Sequence, residues 1–246
     1  VDLVACQPIE VKKTNVDGTQ NVLEAALEVG AKRVLLISTD KAVMPENIYG
    51  ATKMMAEQLT TQFNAISYPR GLTCSVVRFG NLWRSRGSVI DLWIDAAQRG
   101  KDLLITSMHM TRFVLSMSSA CEFIHNVLRS MEGGEIFVPI VPCMRVHDLG
   151  VAVIATYATA PCSLALMGLR PGGEKLHERM LSDDEPKRTI QRDGHYRIHP
   201  THRSWTDTPY LAGQLLPEHF QYRSDSGPFL SVEDLTDLLK TDIPEA

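Results

Sequence analysis

The chain has 246 residues, of which 44% are hydrophobic and 22% charged, as in an ordinary globular protein with a sizeable core. This composition excludes disorder or a fibrous repeat as the dominant state. The 25 basic and 29 acidic side chains give a formal net charge of −4 without a run of five like charges, so no nucleic-acid partner is indicated. Five scattered cysteines without a Cys-x-x-Cys pair indicate reduced thiols and a cytoplasmic location.

Helix-like and strand-like patterns alternate along the first 140 residues. Apolar residues near 3.6-residue spacing predict helices, and short uninterrupted apolar runs predict strands that are buried on both faces. In chain order these are helix 8–29, strand 33–38, helix 48–66, strand 73–80, helix 89–99, strand 103–106, helix 118–131 and strand 135–138. This β-α-β alternation predicts a parallel sheet with helices on both faces.

The pattern changes after about residue 141, where segments become shorter. Residues 149–169 carry no charge and approach the length of a membrane span, but Pro161 interrupts them. We therefore predict a buried helix to about residue 160 and a strand at 163–169, with no membrane segment evident in this chain. Regularity is poor between 188 and 225, and an amphipathic helix at 232–239 follows. The second part reads as a smaller lobe packed on the first.

Ligands of open parallel sheets bind at the carboxyl ends of the strands, which directs attention to residues 38–53 after the first strand. Tyr49 and Lys53 are four residues apart and share one helix face, where the cation lowers the pKa of the phenol toward neutrality. A phenolate of this kind takes a proton from a sugar hydroxyl, and Thr39 at the strand end shares that proton by a hydrogen bond. Tyr-x-x-x-Lys also occurs by chance on surface helices, so the spacing alone leaves both interpretations open.

The complete segment is more specific than the Tyr-x-x-x-Lys pair. A strand-end Ser38-Thr39 followed ten residues later by Tyr-Gly-Ala-Thr-Lys resembles the extended short-chain dehydrogenase/reductase family. With Asp40 and Lys41 added, the segment is similar to the UDP-N-acetylglucosamine 4,6-dehydratase (inverting) group of polysaccharide and flagellin-sugar biosynthesis. The resemblance implies an α/β fold: the C-terminal part of a Rossmann-like, doubly wound parallel sheet over residues 1–150, and a smaller α/β substrate-binding lobe over 151–246.

The resemblance also implies a role for each side chain of the segment. NADP, or alternatively NAD, takes hydride from sugar carbon 4 with Tyr49 as the base. Lys41 then removes the proton on carbon 5, Asp40 protonates the departing hydroxyl on carbon 6, and reprotonation on the opposite face inverts carbon 5. The alternative for Asp40 is a helix N-cap with a solvated neighbour. The implied catalytic residues are Thr39, Asp40, Lys41, Tyr49 and Lys53, and the implied cofactor-binding residues are Asn15, Ser38, Tyr49 and Lys53.

Three further stretches resemble the substrate site of this group, and residues 81–116 of the first domain contribute to it. They are RFGNLWRSRGSVI (78–90), MTRF (110–113) and RPGGEKLHE (170–178). A serine before a helix and arginine side chains suit a diphosphate. Arg84 and Asp91 depart from the Gly and Pro that are usual in the group. The implied UDP-sugar ligands are Asn81, Arg86, Gly87, Ser88, Val89, Arg112, Arg170 and Glu174.

Two alternatives to a dehydratase remain open at this stage. A UDP-hexose or UDP-N-acetylhexosamine 4-epimerase shares the fold, but Asp40 and Lys41 argue against it. An inactive, truncated remnant that retains a UDP-sugar-binding lobe is the other, because the sixteen glycines contain no G-x-G-x-x-G pattern. We expect the first βα units and the phosphate-binding turn to lie upstream of residue 1.

Three histidines near the end of the chain are the candidates for metal ligands. His195, His199 and His202 have ligand-like spacing, but Pro200 lies between them and makes a helix improbable there, so no metal site is expected. The resemblance implies a UDP-sugar substrate and a homo-oligomer.

Overall fold

The computed structural model describes residues 7–85, 87–169, 172–207, 209–210 and 213–241. Its helices are α1 (Pro8–Lys12), α2 (Gly18–Glu28), α3 (Ile48–Gln62), α4 (Asn64–Ser67), α5 (Val89–Gln98), α6 (Met117–Ser130), α7 (Val146–Tyr157) and α8 (Val232–Thr241). Its strands are β1 (Arg33–Thr39), β2 (Thr73–Phe79), β3 (Asn81–Leu82), β4 (Leu103–Ile105), β5 (Thr111–Leu115), β6 (Ile136–Pro139), β7 (Cys143–Arg145), β8 (Leu164–Leu166), β9 (Thr189–Arg192), β10 (His195–Ile198) and β11 (Gln214–Leu215). A π-helical turn (Lys13–Asp17) joins α1 to α2, and 3-10 turns cover Asp40–Ala42, Tyr68–Arg70 and Glu185–Arg188.

The chain forms two compact units, each built from three separate segments. Unit 1 comprises Val1–Phe79, Ser118–Ile140 and Arg179–Tyr222, and unit 2 comprises Gly80–Met117, Val141–Glu178 and Arg223–Ala246. The sequence prediction placed one boundary near residue 150. The contacts follow a different division, because strands from residues 189–215 pair with the sheet that the first part of the chain begins.

Unit 1 holds a six-stranded sheet in the order β1-β2-β6-β10-β9-β11. The first three strands are parallel, as predicted, and the other three continue the sheet in antiparallel fashion. β2 is buried along nearly its whole length. The predicted burial of β1 on both faces is wrong, since Ile37 is 52% exposed. In the described part of the chain β1 is an edge strand that pairs with β2 alone.

The segment from 188 to 225, where little regularity was predicted, supplies β9, β10 and β11. Its strands are short, and polar residues occupy buried positions: Arg197 is 1% exposed and pairs with Glu132 at 3.0 Å. A strand is recognised in a sequence by an apolar run or by alternating apolar and polar residues. Buried polar residues interrupt that pattern, so these strands were not predicted.

Unit 2 contains a three-stranded sheet, β3-β5-β7, and a two-stranded sheet, β4-β8. Its core includes Trp83, Trp93 and Leu149, together with Leu235 of α8. The predicted helix and strand in the charge-free stretch are confirmed as α7 and β8, whereas β5 and β7 were not predicted. Across the described ranges, every helix is too short or too polar to span a membrane.

Candidate active site

The turn after β1 gathers the predicted acid and base around one carboxylate oxygen. Thr39 donates from Oγ1 to Oδ1 of Asp40 at 2.9 Å, and Lys41 donates from Nζ to the same oxygen at 2.9 Å. Asp40 is fully buried, and its Oδ2 makes no hydrogen bond to the described residues. The N-cap of this turn is Thr39, whose Oγ1 accepts from the Lys41 amide, so the N-cap alternative for Asp40 is wrong.

The first turn of α3 packs directly against this Asp40–Ala42 turn. Asn47 caps the helix, accepting a hydrogen bond from the amide of Gly50 at 2.9 Å. A Cβ on Gly50 would lie 2.2 Å from the carbonyl oxygen of Lys41, so only glycine permits this close approach. The sequence analysis missed both residues, although an Asn before a helix and a Gly inside one are recognised signals for a cap and a close contact.

Tyr49 lies on this first helical turn and is half-buried. Burial raises the pKa of its phenol, while the charge of Lys41 lowers it and that of Asp40 raises it further. The predicted lowering of the Tyr49 pKa by Lys53 is therefore wrong, because desolvation outweighs the charges nearby. Lys53 donates from Nζ to the carbonyl oxygen of Ile37 at 2.7 Å, and burial lowers the pKa of its ammonium.

The residues predicted to bind the cofactor surround the same helix. Asn15, in the π-helical turn, donates to Oγ1 of Thr52 at 3.0 Å, and Thr52 in turn donates to the carbonyl oxygen of Tyr49 at 2.9 Å. Asn15 thus contacts Thr52, the residue that precedes Lys53 in the sequence. Ser38 is 4% exposed, and its hydroxyl has no hydrogen-bond partner among the described residues. An ammonium carries three donors, of which Ile37 takes one, so the side chains suit a polar nicotinamide cofactor.

Unit 2 holds the described residues of the predicted UDP-sugar site. Arg112 is 9% exposed and donates to the carbonyl oxygens of Thr111, Leu176 and Lys175 at 2.7, 3.2 and 3.0 Å. Its guanidinium also lies 4.0 Å from Glu174 and 3.7 Å from Glu178. Arg112 therefore holds the 174–178 stretch in place, in addition to any contact it makes with a nucleotide.

The two departures from the family pattern are Arg84, which precedes α5, and Asp91, which lies in the first turn of α5. Arg84 adopts a left-handed backbone conformation, with φ of 47°, and its Nε lies 3.5 Å from Oδ1 of Asp91. The two unusual residues thus pair with each other. Ser88 occupies the N-cap position of α5 but makes no side-chain cap bond. The other described positions are exposed: Asn81, Gly87 and Val89.

Two predicted ligands, Arg86 and Arg170, lie outside the described residues. Of the histidines, His195 packs edge-on against Phe123 at 5.6 Å and His199 stacks on Tyr210 at 3.9 Å. Over the described ranges, no three His, Cys, Asp or Glu side chains are placed to hold a metal ion.

A protein family described as "Polysaccharide biosynthesis protein" matches residues 1–200. A UDP-N-acetylglucosamine 4,6-dehydratase (inverting) from Campylobacter jejuni (strain 81-176) is 37% identical over 249 residues, which cover 97% of this chain and 72% of the dehydratase. The chain belongs to the polysaccharide biosynthesis protein family. The resemblance read from residues 38–53 to extended short-chain dehydrogenases/reductases is thereby confirmed.

Other relatives of this polysaccharide biosynthesis protein include epimerases. A UDP-glucose 4-epimerase from Rickettsia typhi is 34% identical over 191 residues, covering 78% of this chain and 55% of the epimerase. Among solved structures, Pen from Bacillus thuringiensis is 29% identical with a TM-score of 0.87, covering 98% of this chain and 72% of Pen. A dTDP-glucose 4,6-dehydratase from Streptomyces venezuelae, with NAD and TYD bound, is 19% identical with a TM-score of 0.57, covering 68% of this chain and 61% of the dehydratase. This last likeness supports the Rossmann-like α/β fold alone.

Proposed function

We propose that the protein catalyses the NADP-dependent 4,6-dehydration of UDP-N-acetylglucosamine, with inversion at carbon 5, for surface polysaccharide or glycan biosynthesis. NAD is the alternative cofactor. The observation that carries the proposal is the buried Asp40 with Thr39 and Lys41 hydrogen-bonded to one of its oxygens. An acid and a base side by side are what loss of water across carbons 5 and 6 needs. A 4-epimerase has no such requirement.

The Asp40–Lys41 pair holds one proton that either group can carry. Transfer of that proton from Nζ to Oδ1, along the 2.9 Å hydrogen bond, gives a neutral amine and a neutral acid. Lys41 then takes the proton from carbon 5, and Asp40 gives its proton to the hydroxyl on carbon 6, which leaves as water. Both groups are thereby returned to the ion pair. A solvent proton then enters carbon 5 from the opposite face.

Tyr49 acts earlier, by taking the proton of the carbon 4 hydroxyl. A bound nicotinamide cofactor would accept a hydride from carbon 4 and return it to carbon 6. Ser38, Tyr49 and Lys53 are the side chains that we propose hold it, with Asn15 holding the helix that carries two of them. Thr39 orients Asp40 through its 2.9 Å hydrogen bond.

For the nucleotide we propose the residues of unit 2. The names of the Campylobacter relatives support a UDP-N-acetylhexosamine, and Arg112 with Glu174 suits a diphosphate and its ribose. Asn81, Gly87, Ser88 and Val89 complete the described part of the proposed site. The closest chemical competitor is epimerisation at carbon 4, which the Rickettsia relatives' names favour.

The mass of the product decides between the two reactions. Purified protein with NADP+ and UDP-N-acetylglucosamine is expected to give a sugar nucleotide that is one water lighter, measured by mass spectrometry. A product of unchanged mass that differs only in configuration at carbon 4 would instead establish the epimerase.

Replacement of Lys41 tests its place in the reaction. Lys41→Ala removes the base for carbon 5 but no proposed nucleotide contact, so we expect UDP affinity to stay unchanged while solvent deuterium uptake at carbon 5 disappears. Calorimetry and NMR of the recovered sugar measure the two quantities. Uptake at the wild-type rate would remove Lys41 from the mechanism.

We also propose that the protein is a cytoplasmic homo-oligomer. The exposed flank of α3 and α4 carries apolar side chains, among them Met55 at 50% and Ile66 at 59% exposure. Apolar surface of this kind is typical of association interfaces. Analytical ultracentrifugation is expected to show a dimer or larger assembly, and a monomer at micromolar concentration would contradict the proposal.

A further inference from the structure

A chain of side-chain hydrogen bonds in unit 2 begins at the residue before Arg112 and takes no part in the chemistry above. Thr111, the first residue of β5, is 5% exposed, and Ser224 is fully buried. Oγ1 of Thr111 lies 2.7 Å from Oγ of Ser224 and 2.9 Å from Nδ1 of His177. The chain therefore joins three segments that are distant in the sequence: β5, the 174–178 stretch and the residues before α8.

Every hydroxyl proton in this chain has an acceptor. Oγ of Ser224 accepts a hydrogen bond from the amide of Glu178 at 2.9 Å and lies 3.2 Å from the carbonyl oxygen of Thr111. If Nδ1 of His177 donates to Thr111, the Thr111 hydroxyl donates to Ser224, and Ser224 donates to that carbonyl oxygen. If Nδ1 accepts instead, Thr111 donates to it and Ser224 donates to Thr111. The three side chains thus stay connected in either form of the imidazole.

The stretch that this chain holds also carries the contacts of Arg112. The guanidinium donates to the carbonyl oxygens of Thr111, Leu176 and Lys175 at 2.7, 3.2 and 3.0 Å. The first carbonyl belongs to the residue at the centre of the chain, and the other two directly precede His177. The acceptors that orient the guanidinium are therefore held in place by the Thr111 hydroxyl.

Ser224 is a fixed anchor for this arrangement. Its amide donates to the carbonyl oxygen of Glu178 at 3.0 Å, so the two residues bond in both directions. On either side of Ser224, Arg223 donates from Nε and Nη2 to the carboxylate of Asp225 at 2.9 and 2.7 Å. The Thr111 hydroxyl ties β5 to this constrained segment.

We propose that Thr111 is a positioning residue for the nucleotide site. Its hydroxyl, anchored by Ser224, fixes the 174–178 stretch through His177 and so sets the orientation of Arg112. The nucleotide role of Arg112 rests on the proposed function, whereas the hydrogen-bond chain does not. A guanidinium binds a diphosphate through a planar fork, so a change in its orientation weakens binding even when no ligand contact is deleted.

Two substitutions of Thr111 separate its hydroxyl from its methyl group. Thr111→Val keeps the shape and loses the hydroxyl, whereas Thr111→Ser keeps the hydroxyl and loses the methyl. If Thr111 served packing alone, the serine variant would be the more impaired, and the proposal predicts the reverse. Thr236→Val is the control for the chemical change, because the Thr236 hydroxyl donates within α8, to the carbonyl oxygen of Val232 at 2.8 Å.

Calorimetry with UDP tests the effect on the site. We expect Thr111→Val to weaken UDP binding about tenfold, as loss of roughly one hydrogen bond implies, and to raise KM while kcat stays unchanged. Thr111→Ser and Thr236→Val are expected to bind UDP as tightly as the wild type. In an Arg112→Lys background, Thr111→Val is expected to have no further effect, because residues that act through one another are not additive. Equal losses in both backgrounds, or an equal loss in Thr111→Ser, would overturn the proposal.

Amide exchange separates a failure of this proposal from a failure of the proposed function. The 174–178 stretch is expected to exchange faster in Thr111→Val than in the wild type or Thr111→Ser, measured by hydrogen–deuterium exchange and mass spectrometry. Equal exchange in all three proteins would overturn the positioning role. Absence of UDP binding by the wild-type protein would instead contradict the proposed function, and the exchange rates would still decide whether Thr111 holds the stretch.

Discussion

Replacement of Gly50 by alanine separates two opposing effects on the free energy of unfolding. Alanine favours a helix over glycine by up to about 1 kcal/mol, so propensity alone predicts stabilisation. The structure predicts the opposite sign. The new Cβ would lie 2.2 Å from the carbonyl oxygen of Lys41, whereas ordinary contacts begin at 3.4 Å, so helix or turn must move by 3.4 − 2.2 = 1.2 Å.

The cost of this movement is near the upper end of the range for overpacking. Inserting a methyl group into a packed site costs about 1–3 kcal/mol, and a backbone oxygen yields less easily than a side chain. We therefore expect Gly50→Ala to lower the free energy of unfolding by about 2 kcal/mol after the gain in propensity is subtracted. A displacement of about 1 Å between Tyr49 and the Asp40–Lys41 pair is expected to reduce kcat about 100-fold.

Gly18→Ala provides the control for Gly50→Ala. Gly18 has helical backbone angles, and its added Cβ would meet its nearest neighbour, the carbonyl oxygen of Lys13, at an ordinary 3.5 Å. We expect this variant to gain up to about 1 kcal/mol. Urea unfolding followed by circular dichroism measures both. If Gly50→Ala gained stability as Gly18→Ala does, the close packing of α3 on the turn would be refuted.

Two further predictions concern Arg112 and His199. Arg112→Lys keeps the charge but loses the planar guanidinium that donates to three carbonyl oxygens. We expect the free energy of unfolding to fall by about 2 kcal/mol and the affinity for UDP, measured by calorimetry, to weaken. Unchanged affinity would show that the 174–178 stretch needs no support from Arg112. Burial, with the charges of three arginines, lowers the pKa of His199 to about 4 from its usual 6.5. Between pH 6.5 and 4 the unfolded chain therefore binds a proton at His199 that the folded chain does not bind. The stability that comes from burying a neutral His199 is fully present above pH 6.5 and is lost as the pH falls toward 4. Urea unfolding at pH 7 and pH 5 should show a smaller loss in His199→Gln than in the wild type, and equal losses would contradict the assignment.

The sequence predicted the parallel half of the sheet and the active-site segment for a clear physical reason. β2 buries a nearly continuous run that includes Cys74, Val76 and Val77, and the residues of the Asp40–Lys41 turn are consecutive, so local pattern determines both. Antiparallel strands β9 and β10 were missed because buried His195 and Arg197 interrupt the apolar pattern. Their pairing with β6 depends on partners that lie far away in the chain.

The electrostatics of the site were harder to predict than its residues. The spacing of Tyr49 and Lys53 predicted a lowered phenol pKa, but burial, which no spacing reports, has the larger effect. The sequence also indicates that Arg78 has buried charged partners, because it lies inside a strand that was predicted to be buried. Those partners, Glu57 and Glu185, lie 21 and 107 residues away.

The fate of the hydrogen on carbon 4 tests the proposed dehydration most directly. UDP-N-acetylglucosamine that carries deuterium at carbon 4, incubated with the protein and NADP+, is followed by mass spectrometry and NMR. The proposed function predicts a product one water lighter, with the deuterium on carbon 6. Deuterium that remains on carbon 4 of a product of unchanged mass would contradict it.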